Sequence, residues 1–113
     1  MEQIEQELAL AEAALRENNE GKARVCARRA VALAADAWVE RAPRPGGRGD
    51  AMHHLRRIQQ ADFFPLPVRQ AAERLSTKIT QRDTAPFTSD PIADARLIIA
   101  CLNAVEPDPP QQK

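Results

Sequence analysis

Between Gly21 and Trp38 the chain reads Gly-Lys-Ala-Arg-Val-Cys-Ala-Arg-Arg-Ala-Val-Ala-Leu-Ala-Ala-Asp-Ala-Trp, and Cys26, Ala27, Ala30, Leu33, Ala34 and Ala37 recur at helical spacing. Alanine is the strongest helix former, and a stripe of small side chains lets a neighbouring helix approach closely. The segment therefore predicts the central stave of a helical bundle. Lys22, Arg24, Arg28 and Arg29 flank the stripe and must meet solvent, acidic side chains or a partner.

The other periodicities agree with an all-α fold. Ile4, Leu8, Ala11 and Leu15 predict an amphipathic first helix starting close to Met1, and Asn18-Asn19-Glu20-Gly21 ends it. Asparagine and glycine tolerate the left-handed conformation that closes a helix, so the link predicts an up-down hairpin with a second helix over 22–40. Asp50 is placed to cap a third helix over 51–60, with Met52, Leu55 and Ile58 inward. Pro67 suits the first turn of a fourth helix, which carries Val68, Ala71, Ala72, Leu75 and Ile79 inward and ends near Gln81. Asp90-Pro91 starts a fifth, with Ile92, Ala95, Ile98, Ile99, Leu102 and Val105 inward.

These elements predict an antiparallel bundle of about five helices. At 113 residues the chain suits one domain, here 1–105, because a chain of this size buries roughly two thirds of its unfolded surface around a single core. Residues 41–49 hold two prolines and three glycines and read as a mobile loop, while the proline-rich residues 106–113 read as a disordered tail. The apolar turn Phe63-Phe64-Pro65-Leu66-Pro67 is expected to pack over one end of the bundle.

The net charge is zero but unevenly spread. Residues 1–20 hold six glutamates against Arg16 alone, and residues 21–57 hold nine basic side chains against three acidic ones. The two antiparallel helices can satisfy each other along their edges, or the basic edge of the second can take an anionic ligand or partner. Arg24 and Arg28 share a face, and with Arg29 they are the candidate binding residues, since arginine presents planar donors to phosphate oxygens.

Little else carries chemistry. His53 and His54 are adjacent, so on a helix they point about 100° apart and do not grip one ion together. Cys26 and Cys101 fall on apolar helix faces and make neither a disulfide framework nor a zinc site. No nucleophile motif, glycine-rich phosphate loop or paired-carboxylate pattern occurs. Neither a cofactor nor a metal is expected. The start is acidic and amphipathic, and no stretch approaches the roughly 20 apolar residues that cross a membrane, so a cytoplasmic location and no membrane partner are expected.

The order of features resembles the HEPN superfamily of small helical bundles, named for nucleotide binding in higher eukaryotes and prokaryotes. The parts that carry the resemblance are the amphipathic first helix, the short polar turn and the alanine-rich segment 23–34. The variable loop, the pair His54-Leu55 opening the third helix, and Pro67-Val-Arg-Gln-Ala-Ala-Glu-Arg-Leu75 complete it. It spans most of residues 4–105. The resemblance implies a homodimer, a possible small nucleotidyltransferase partner as in toxin and antitoxin pairs, and RNA or a nucleotide as ligand.

Active members of that family cut RNA with an arginine followed four to six residues later by a histidine in the late helices. Here no histidine follows His54. Arg48 and His53 meet the spacing but lie in and just after the glycine-rich loop, so they stand only as the alternative ribonuclease site. The leading expectation is a non-catalytic, self-associating binding module that uses the basic edge of the second helix. A purely structural homo-oligomer is the third reading.

Overall fold

The computed structural model describes residues 2–40, 50–77, 81, 83–84 and 86–104. Among them are five helices and no strand: α1 (Glu2–Arg16), α2 (Glu20–Glu40), α3 (Ala51–Gln60), α4 (Leu66–Ser76) and α5 (Pro91–Ala104). The loop expected over 41–49 and the tail expected over 106–113 lie outside the described residues, as do Ile79 and Val105.

The α1–α2 link is tighter than the sequence suggests. Asn18 takes φ 62°, the Asn19 N–H donates to the Ala14 carbonyl at 2.8 Å and the Asn18 N–H to that of Leu15 at 3.0 Å. This bond pair closes a helix through one left-handed residue, a place asparagine fills at modest cost. The Asn19 side chain then accepts from the Lys22 N–H at 3.1 Å. Capping by Asn19 starts α2 at Glu20, two residues ahead of expectation, and Gly21 is helical rather than part of the turn.

α2 packs against all four other helices, while α3 packs on α4 and α4 on α5. Its inward face differs in part from the expected stripe. Ala27, Ala30 and Ala34 are buried, but so are Val31, Ala35, Trp38 and Val39, whereas Ala37 is exposed and Leu33 only half-buried. A helix with neighbours on several sides buries a broad arc instead of a narrow seam. In α1, Ala14 is buried and Leu15 is 36% exposed, because a 3.6-residue repeat drifts off a strict four-three-four spacing.

Both predicted aspartate caps form. Asp50 accepts from the His53 N–H at 2.9 Å, and Asp90 accepts from the Ala93 N–H at 3.0 Å. α4 stops at Ser76, five residues before the expected end. The Ser76 and Thr77 hydroxyls both donate back to the Glu73 carbonyl at 2.9 Å, which offers the backbone an alternative to another helical turn. Thr77 is then extended, at φ −70° and ψ 131°.

Candidate functional site

The three arginines expected on one open edge of α2 are separated. Arg24 is 2% exposed, and its guanidinium carbon lies 4.2 Å from the centroid of the Phe87 ring, a cation–π contact. Arg28 donates from Nε to the Leu75 carbonyl at 2.8 Å and from Nη2 to that of Thr77 at 3.4 Å. It thereby closes the C-terminal end of α4, where carbonyls lack helical partners. Burial lowers its pKa below the ordinary guanidinium value. Only Arg29 is exposed.

Arg24 and Arg28 do not lie on an open edge, for a physical reason. Arg24 and Arg28 do share a face, but that face looks inward, and long side chains run their stems over apolar surface to reach carbonyls and a ring. Two of the α1 glutamates, Glu5 and Glu12, lie 3.7 Å and 3.9 Å from Arg96 of α5, while Glu7 faces Cys26 of α2. Both ion pairs are solvent-exposed and contribute little to stability.

A different site forms where the C-terminal end of α2 meets α3. Ala35, Trp38 and Val39 of α2, His54 and Arg57 of α3, and residues 61–64 of the following turn line an open-sided cavity of about 240 Å³. The Trp38 ring centroid lies 5.5 Å from that of Phe64 and 6.1 Å from that of Phe63, with tilted planes. Phe63 and Phe64 meet edge to face at 5.2 Å. These are favourable arrangements for aromatic quadrupoles.

Short local contacts build this corner. The Phe64 N–H donates to the Ala61 carbonyl at 3.2 Å, and Arg69 Nε donates to the Phe64 carbonyl at 2.9 Å. The turn is thus held to α4, with Phe64 5% exposed and Phe63 46% exposed. The expected packing over the bundle end holds for Phe64, while Phe63 forms an outer wall.

His54 is the polar member of the cavity wall. It is 2% exposed, and its Nε2 lies 2.8 Å from Asp36 Oδ1 on α2. A buried polar ring needs such a partner, and this one ties α3 to α2. His53 sits on the first turn of α3, with its ring edge-on to that of His54 at 5.8 Å. Arg48, its partner in the alternative ribonuclease site, lies outside the described residues.

Among the described residues no group of three His, Cys, Asp or Glu side chains is arranged to hold a metal ion. Cys26 is buried and Cys101 partly so, both as free thiols. Burial pushes the Cys26 thiol up from its ordinary 9.0, with Glu7 adding to the shift. Burial raises Cys101 as well. None of the described helices is long and apolar enough to cross a membrane.

The cavity was missed in the sequence, although one signal pointed to it. The chain has only four aromatic residues, and three of them converge on this corner. No protein-family model, curated protein or solved structure matches the chain.

Proposed function

We propose that the chain is a helical binding module, HEPN-like in its order of elements, which self-associates and receives its ligand in the cavity beside Trp38. The observation that carries this reading is the combination of an apolar wall, three aromatic rings and three polar side chains, His54, Arg57 and Asp62, around one concave space. Binding sites for small molecules likewise set a few placed polar groups among apolar and aromatic side chains. With Arg24 and Arg28 engaged inside the bundle, the cavity is the better receiving site than the α2 edge.

Protein-observed NMR with a mixture of small aromatic fragments tests it. The Trp38 indole, His54 and Phe63 signals are expected to move together and to saturate. Shifts centred on Arg29 and the outer face of α2 would restore the basic edge. RNA cleavage that vanishes in His53→Ala with the fold intact would favour the ribonuclease alternative.

Self-association is supported by large apolar side chains left open to solvent. Phe63 and Leu66, close together in the chain at the entry to α4, are 46% and 55% exposed, and a two-fold contact would cover them. Sedimentation at micromolar concentration is expected to give twice the 12.5 kDa chain mass. A monomer at every dilution would remove this part of the reading.

A further inference from the structure

Resting on the reading of the Trp38 cavity as the receiving site, we infer that it selects a small aromatic acid, with the ring inside and the carboxylate on Arg57. Size is the first argument. A cavity of about 150 Å³ is enough to hold benzene, so the 240 Å³ beside Trp38 has room for an aromatic ring with a short side chain.

Shape and polarity give the second. Trp38 and Phe64 are 7% and 5% exposed, and their tilted rings at 5.5 Å present a fixed apolar wall to a flat guest. Phe63, 46% exposed, closes the outer side with a further ring for edge-to-face contact.

Charge decides the rest. Three charged or titratable side chains line the cavity: His54, Arg57 and Asp62. The Nε2 of His54 is taken by Asp36 at 2.8 Å. The Asp62 side chain is fully solvent-exposed and lies 3.8 Å from Arg69, which offsets its charge. The half-buried Arg57, beside the contact it already keeps within the protein, is the cation in the wall. Its five N–H donors let it bind a carboxylate through two parallel hydrogen bonds while keeping another contact.

Trp38 is the sole tryptophan, so its fluorescence in the full chain reports occupancy directly. Three matched probes serve: 3-phenylpropionate, 3-phenylpropan-1-ol and 3-phenylpropylamine. The acid is expected to give a saturable change and to bind about tenfold more tightly than the alcohol, as a charge-assisted pair would confer. The amine is expected to bind more weakly than the alcohol. Arg57→Gln should erase the acid's advantage.

Ala61→Leu, at a partly exposed position of the wall, should fill the cavity and abolish binding with helical circular dichroism unchanged. Equal binding of acid and alcohol would overturn the selection of an acid and leave the cavity as the receiving site. No saturable change with any of the three probes would overturn both. Undiminished acid binding in a folded Ala61→Leu variant would place the guest elsewhere and overturn the inference.

Discussion

The two ends of α2 are packed in opposite ways. Toward its start, Ala23, Cys26, Ala27 and Ala30 meet Leu8, Ala11 and Ala14 of α1, and all seven are at most 2% exposed. Toward its end, Trp38 and Val39 meet Phe64 and the α3 turn, and a 240 Å³ cavity remains. Small side chains let backbones close up and leave no gap, whereas a few rigid rings touch at their edges and cannot flow into the space between them. One helix thus provides both a tight seam that organises the bundle and an open corner that can take a guest.

The largest effect that would break this comparison comes from the tight seam. Ala30 is fully buried, so Ala30→Glu would force an unpaired carboxylate into a close helix contact, at a cost on the order of 4 kcal/mol or more. Loss of the cooperative thermal transition is expected. A melting temperature unchanged from the parent chain would show that the seam is not close-packed.

A matched pair of smaller changes sharpens the contrast. Ala27→Leu adds the same volume as Ala61→Leu, but Ala27 is fully buried and Ala61 borders the cavity. Overpacking at Ala27 should cost about 1–3 kcal/mol in urea unfolding. The change at Ala61 should stay within about 0.5 kcal/mol of neutral. Equal costs at the two sites would erase the distinction between the ends.

Arg28→Ala tests whether the α2 arginines hold the bundle together. It removes the donors to the Leu75 and Thr77 carbonyls, and about 1–2 kcal/mol of stability should go with them. Faster amide exchange is expected at the end of α4, with the Trp38 corner unaffected. Exchange spread evenly over the chain would mean that Arg28 does not act locally.

The smallest effect is a pH dependence at the seam. Because burial raises the Cys26 thiol above 9.0, the unfolded chain loses this proton first as pH rises. The thiol's contribution is complete below the ordinary thiol range and is lost as pH climbs through the folded value. Cys26→Ala should therefore flatten the alkaline fall in urea midpoint in part, with Cys101, also raised, responsible for a further share. An unchanged alkaline slope would show that Cys26 ionises equally well folded and unfolded.

The elements most legible in advance were those governed by neighbours in sequence. Asp50 and Asp90 cap their helices because the carboxylate reaches an N–H three residues on, and α3 occupies 51–60 as expected. The early end of α4 was harder, because the apolar spacing continues to Ile79 while Ser76 and Thr77 turn the backbone away. The candidate site was the least legible. Its walls come from residues up to 29 positions apart, counting from Ala35 to Phe64, and no local pattern links them.

By itself the sequence determined that this chain makes helices, where most of them begin, and that alanines line the middle one. Those properties follow from backbone propensity, capping and periodicity, which act over one or two turns. Only the tertiary structure decided which way the basic side chains of α2 go. Arg24 and Arg28 sit on a flank that would be open on an isolated hairpin, and it is closed by Phe87, Leu75 and Thr77 from far along the chain. The aromatic cavity has the same origin: its rings belong to segments whose meeting depends on how α3 and α4 dock, a long-range packing outcome that local periodicity does not encode.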